Sequence, residues 1–203
     1  MTTLLHIKSS LFGEDGKSNL LATEFIEQWQ NKQGTEKSNG QVVVRDVISN
    51  STSHLDASII TAFMTPEAER TVEQQTIACH SDTLINEIRE ADIIVIGVPM
   101  YNFGIPSQMK AYLDHIARAG ITFKYTDTGP VGLLEDKPVY LFATRGGMYR
   151  DSGIDFQVPF MTQFLNFIGL SSIDTIYAEG LNMGAVAENS LAAAKTQISA
   201  AVN

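Results

Sequence analysis

Cysteine is almost missing from this sequence: Cys79 is the single thiol in 203 residues. One thiol excludes an internal disulfide framework and suits a reducing compartment. Basic charge is also scarce, with 14 Lys and Arg against 23 Asp and Glu and a formal net charge of −9. No local Lys/Arg cluster offsets that balance, which excludes non-specific binding to nucleic acid or to an anionic membrane surface. No apolar run reaches the length of a membrane span, and the one near the start of the chain, MTTLLHIKSS, is too short for a secretory signal. The four histidines, His6, His54, His80 and His115, show no ligand spacing with one another or with Cys79, so no metal site is expected. What remains is an ordinary globular composition, 44% hydrophobic and 18% charged. The length suits one substantial core, which predicts a single domain over residues 1–203, placed in the cytoplasm.

The stretch that organises the rest is Ala91–Gly120. Ile93-Ile94-Val95-Ile96, with Val98 beyond Gly97, reads as a strand buried on both faces. It stops at Pro99, and the turn Met100–Gly104 leads to a helix that opens near Pro106 and stops at a left-handed Gly120. Further strands are predicted at Thr3–Lys8, Gln41–Val47, Pro138–Thr144 and Ser172–Ala178. Helices are predicted at Asn19–Lys32 with Ser18 as N-cap, around Ala57–Met64, and over Pro66–Glu90, Pro159–Ile168 and Ala185–Val202. Gly34–Gly40 reads as an exposed polar connection, and the Gly-, Pro- and Asp-rich middle of Ile121–Asp136 as a loop or small hairpin outside the main layers. Five alternations of strand and helix predict an α/β fold: a doubly wound, five-stranded parallel sheet with helices on both faces. This length suits the flavodoxin-like order 2-1-3-4-5, whose ligand lies at the switch between the first and third strands.

Three loops carry chemistry. In Ser9–Ser18, the hydroxyls of Ser9, Ser10 and Ser18 and the backbone at Gly13 and Gly16 gather before a helix, where they either bind an anion or only turn and cap. Gly16-Lys17-Ser18 also resembles the end of a nucleotide-triphosphatase loop, but the glycine required five residues earlier is replaced by Leu11. In Met100-Tyr101-Asn102-Phe103, the aromatics either flank a flat ring, with Asn102 at its polar edge, or plug the core. In Thr144-Arg145-Gly146-Gly147, bare glycine backbone can face ring heteroatoms or simply turn, and Arg145 either balances an anionic ring or pairs with a surface carboxylate. In the inferred fold all three converge at one sheet edge, a phosphate cradle beside two ring-contact loops. Flavin mononucleotide (FMN) fits that description best among common cofactors.

The segments PMYNF (Pro99–Phe103), ARAGITFKYTDTGPVGL (Ala117–Leu133), TRGG (Thr144–Gly147) and AEG (Ala178–Gly180) resemble the bacterial FMN-dependent NADH-azoreductases. These belong with the quinone reductases of the flavodoxin-like superfamily. KSS (Lys8–Ser10) and the pair Arg45-Asp46 match as well, so the resemblance runs nearly end to end. It implies FMN contacts at Ser10, Gly16, Lys17, Ser18, Met100–Phe103 and Thr144–Gly147, and a substrate space walled by Phe123 and Tyr125 near a dimer interface. It implies a homodimer with sites formed across that interface. It further implies a ping-pong cycle in which NADH, or NADPH in its place, reduces the flavin and a quinone or aromatic azo compound then takes two electrons. The chemistry is the flavin's, so no catalytic side chain is required. Two departures stand out: the family's Ser-x-Ser is Gly16-Lys17-Ser18 here, leaving a glycine amide and the Lys17 ammonium in place of one hydroxyl, and Thr144 replaces a common Ser. A flavodoxin-type electron carrier is the alternative, against which the extra aromatic loop Ile121–Leu133 argues. On His115 a proton donor is imaginable, and a packed helix face is the other reading.

Overall fold

The computed structural model describes residues 2–32 and 40–202. The connection expected at Gly34–Gly40 lies outside the described residues, except for Gly40, which opens a strand. Seven strands and six α-helices follow one another along the described chain. They are β1 (Thr2–Lys8), α1 (Lys17–Lys32), β2 (Gly40–Asp46), α2 (Ala57–Met64), α3 (Val72–Glu90), β3 (Ile93–Pro99) and α4 (Ser107–Ile116). After them come β4 (Phe123–Thr126), β5 (Gly129–Gly132), β6 (Val139–Thr144), α5 (Gln157–Ile168), β7 (Ile173–Ala178) and α6 (Ala185–Val202). Five strands form one parallel sheet in the order β2-β1-β3-β6-β7, which is the flavodoxin-like order counted along the sheet strands. β4 and β5 form a separate antiparallel hairpin, Phe123 opposite Gly132.

The pleat of β3 explains why its sequence is apolar throughout. Ile94, Ile96 and Val98 enter a core shared with Leu84, Ile85 and Ile88 of α3, Met109, Tyr112 and Leu113 of α4, and Met161 and Leu165 of α5. Val95 faces the other side, against Leu21, Phe25 and Trp29 of α1 and Ile198 of α6. Burying a side chain of this size contributes roughly 1.5–3 kcal/mol. Gly97 lies on the α1 side, where a Cβ would stand 2.9 Å from Asn19 Oδ1 and 3.3 Å from Ser18 Oγ. Glycine there lets the start of α1 lie close against the central strand.

Several boundaries differ from the expectations, each for a physical reason. α1 opens two residues earlier than the predicted Asn19: Leu20 N–H donates to Gly16 O at 2.9 Å, so Gly16 and not Ser18 starts it. The single helix expected over Pro66–Glu90 is two pieces, a 3-10 turn at Glu67–Glu69 and then α3. Thr71 restarts the chain with a capping box, its hydroxyl accepting from Gln74 N–H and its own N–H donating to Gln74 Oε1 at 3.0 Å. α4 ends at Ile116 rather than at Gly120, because Thr122 Oγ1 donates to Ile116 O at 2.6 Å and accepts from Arg118 N–H at 2.9 Å. Gly120, at φ +79°, serves the turn into the hairpin instead. In α5 the buried face is Val158, Met161, Leu165 and Ile168, while Phe160 stays exposed.

Candidate functional site

The carboxyl ends of β1, β3 and β6 lie side by side, because β3 pairs with both others in parallel register. The loop that leaves β1 is pinned to β3 where Ser9 Oγ donates to Gly97 O at 2.6 Å. It turns through Gly13–Asp15 and is tied to α1 where Asn19 Nδ2 donates to Gly13 O at 2.7 Å. At Gly16 a Cβ would sit 2.0 Å from Ser10 Oγ, so only glycine lets the loop close on that hydroxyl. The 16-residue α1 begins here and presents the positive end of its dipole. Ser18 Oγ, fully buried in its first turn, has no hydrogen-bond partner among the described residues. An orphaned hydroxyl beside unpaired helix N–H groups is a donor set shaped for an anionic oxygen, and it fits a phosphate. Lys17 is exposed at the rim. Beneath the loop, burial and then the Lys8 ammonium push His6 down to about 4, which leaves it neutral at physiological pH.

The loop after β3 is a tight turn closed by two backbone bonds, Tyr101 N–H to Gly104 O at 3.0 Å and Gly104 N–H to Tyr101 O at 3.1 Å. Both central residues are left-handed, Asn102 at φ +50° and Phe103 at φ +68°. Positive φ at both centres is the type I′ pattern, usually met by Asn and Gly. A bulky aromatic in that region is strained by roughly 1–2 kcal/mol, and such strain concentrates at ligand sites. The turn holds Phe103 outward, 55% exposed, with Tyr149 meeting it edge-on at 5.8 Å between centroids. Tyr101 reaches the other way, its hydroxyl accepting from Leu11 N–H at 3.0 Å and lying 3.4 Å from Ser10 Oγ.

The loop after β6 joins the same edge: Met100 N–H donates to Thr144 O at 2.8 Å. Gly146 and Gly147 have close neighbours: a Cβ would stand 2.4 Å from Asn182 Nδ2 and 2.8 Å from the Tyr149 ring, respectively, so a larger residue at either must displace that side chain. Arg145 does not face outward. Its guanidinium is fully buried, donates to Asp155 Oδ2 at 2.7 Å and lies 3.5 Å from Glu179 Oε1. Its Nη1 pairs with carboxylates that are buried rather than on the surface, while Nε and Nη2 have no partner among the described residues.

Thus Ser10, Gly16, Lys17, Ser18, Met100, Tyr101, Asn102, Phe103, Thr144, Arg145, Gly146 and Gly147 all lie on the three loops at one edge. Phe123 and Tyr125 do not join them. Their hairpin lies at the amino edge of the sheet, where Arg89 at the end of α3 donates to Ile121 O at 3.1 Å and Leu134 N–H donates to Ile168 O at 3.0 Å. There Phe123 packs on Phe167 at 4.2 Å and Tyr125 is 74% exposed. His115 is packed: its Nε2 is 3.1 Å from Ser53 O, Phe63 and His80 meet its ring edge-on, and burial lowers its pKa. Three site residues escaped the sequence reading. Tyr149 and Asp155 carry no local signal, whereas Glu179 stands in the AEG segment of the resemblance with no role assigned to it.

A family profile described as a flavodoxin-like fold matches residues 2–202. An FMN-dependent NADH:quinone oxidoreductase of Cellvibrio japonicus (strain Ueda107) is 56% identical over 198 residues, 98% of this chain and 97% of that protein. One bearing the same name, from Marinomonas sp. (strain MWYL1), is 48% identical over 202 residues and covers 100% of both chains. Among solved structures, an azoreductase from Bacillus anthracis str. Sterne superposes with a TM-score of 0.89 at 28% identity, over 100% of this chain and 99% of that one.

Proposed function

The chain belongs to the flavodoxin-like family of FMN-dependent NADH:quinone oxidoreductases and is an oxidoreductase; from that premise we propose that it holds FMN on the three loops and reduces quinones and aromatic azo compounds with NADH. The observation that carries the reading is the buried, unpartnered Ser18 Oγ at the start of α1, joined to the strained Phe103 turn through Tyr101 and Leu11.

Ser10 Oγ, Ser18 Oγ and the N–H groups that open α1 would hold the phosphate, where the helix dipole and hydrogen bonds act without an arginine. Met100–Phe103 and Thr144–Gly147 would grip the ring, the first with side chains and the second with bare backbone. When bound, FMN supplies the two-electron chemistry, accepting a hydride from NADH and returning electrons to the acceptor. Phe103 and Tyr149 rise on one side of that edge as apolar walls that exclude water and admit flat molecules. One stacking space shared by donor and acceptor requires that oxidised NADH leave before a quinone enters, which is ping-pong order.

Within one chain Phe123 and Tyr125 sit at the opposite sheet edge, so they can wall a site only in a second copy. The reading therefore includes a homodimer in which each hairpin reaches the partner's ring loops. Among the described residues no helix is long and apolar enough to cross a membrane.

The test is one anaerobic absorbance series on the purified protein after FMN is added and the excess removed. Retained flavin bands that bleach with NADH and return with a benzoquinone are expected. Bands that stay oxidised with NADH would move the protein to the electron carriers, and loss of all flavin would overturn the reading.

A further inference from the structure

We propose that Glu179 is a positioning residue of the ring site: through the main chain of Tyr149 it sets the Tyr149 ring against Phe103. The inference rests on the FMN reading above. AEG, Ala178–Gly180, contributes no side chain to the three loops, yet Glu179 is 93% buried by its neighbours, with only 7% of its surface exposed.

Its contacts say why a carboxylate is kept there. One oxygen, Oε1, accepts from Tyr149 N–H at 2.7 Å and from Arg150 N–H at 2.8 Å. The same oxygen lies 3.5 Å from Arg145 Nη1, which also donates to Asp155 at 2.7 Å. Asp155 in turn accepts from Gln157 N–H at 3.0 Å at the start of α5. The Arg145 guanidinium thus sits between two carboxylates that hold the near and far ends of the loop from Met148 to Phe156. Glu179 is itself anchored, its N–H donating to Ser190 Oγ at 2.8 Å on α6.

The Tyr149 side chain carries this order outward to the ring loops. Tyr149 closes over Gly147, where its ring atoms would stand 2.8 Å from a Cβ, and meets Phe103 edge-on. Two N–H bonds to one fixed oxygen define where residue 149 starts, and a stiff two-torsion ring then has few places to go. The proposed consequence is a preformed wall, so that FMN does not have to order the loop as it binds.

The test is a double-mutant cycle on FMN affinity, read by titrating apoprotein with FMN and following flavin fluorescence. Glu179→Ala is expected to weaken binding about tenfold in the wild-type background and less than about twofold when Tyr149→Ala is already present, because its effect passes through that ring. Glu179→Gln keeps an oxygen for both N–H groups and is expected to stay within about threefold of wild type. An equal loss from Glu179→Ala in both backgrounds would assign it a general structural role and overturn the inference. So would a Glu179→Gln loss as large as that of Glu179→Ala, which would make the charge beside Arg145 the cause. Failure of the wild type itself to bind FMN would instead overturn the reading on which this rests, and the inference with it.

Discussion

The hydroxyl of Tyr101 accepts a hydrogen bond from the main-chain N–H of Leu11 at 3.0 Å, across 90 residues of sequence. It couples the loop that would grip a phosphate to the turn that would grip a ring. Tyr101→Phe removes that acceptor and leaves Leu11 N–H to solvent. Because Leu11 is exposed, the folding penalty should be small, at most about 1 kcal/mol. FMN affinity should fall several-fold, on the order of one hydrogen bond, when measured by fluorescence titration. An unchanged affinity would show that the two loops are set independently.

Phe103 occupies a left-handed conformation at φ +68° with more than half of its surface exposed. Phe103→Gly should relieve roughly 1–2 kcal/mol of backbone strain, against about 0.5–1 kcal/mol of added chain entropy. The variant is expected to melt at the same temperature as wild type or slightly above it, and to lose most of its benzoquinone turnover. A lower melting temperature would show that the ring's contact with Tyr149 outweighs the strain.

Gly132 in β5 packs backbone to backbone on the end of α5, where a Cβ would stand 2.2 Å from Gly169 N and 2.4 Å from Gly169 Cα. Gly132→Ala must push the hairpin away from the helix, at a penalty of about 1–3 kcal/mol. Chemical denaturation should show that loss. Since the hairpin presents Tyr125 to the proposed dimer interface, sedimentation should also show weaker self-association. Denaturation unchanged from wild type would mean that the hairpin moves without resistance.

His6 contributes to the acid limb of stability. Its ordinary value is 6.5, and in the fold burial brings it to about 4. Between those values the unfolded chain holds a proton that the folded chain does not. Stability is therefore fully present above about pH 6.5 and is lost as pH falls toward about 4, by up to roughly 1.4 kcal/mol per pH unit. His6→Gln removes the titrating group, so urea unfolding across that window should show a shallower pH slope than wild type. Identical slopes would assign that loss to the other histidines lowered by burial, His80 and His115, or to carboxylates.

The sheet was legible because local pattern and tertiary role agree in it. β3 is apolar on both faces since both faces are covered, and the hairpin is marked by Asp127, Gly129 and Pro130. The Thr71–Gln74 capping box went unread although it is a Thr-x-x-Gln spacing, because the apolar stripe beyond it suggests one long helix. Ser18 looks like a cap because serine commonly is one; its hydroxyl caps nothing because the helix has already begun at Gly16, two residues earlier. The partners of Arg145 lie 10 and 34 residues further along the chain, a separation at which no local pattern pairs charges. Nor does spacing alone reveal that α4 carries Phe123 and Tyr125 across the sheet to its far edge.

The contact of Gly132 with Gly169 also divides the hairpin into a part that evolution or a designer can rewrite and a part that neither can. Its base is held by this main-chain contact together with the packing of Phe123 on Phe167 and the Arg89 bond to Ile121 O, while Tyr125, Pro130 and Val131 near its tip project into solvent. Libraries confined to the tip would diversify a surface while the register of β4 on β5 and the seat on α5 are inherited unchanged. On the proposed dimer, where the tip walls the partner's site, acceptor preference and thermal tolerance would then be separable traits, selectable one after the other.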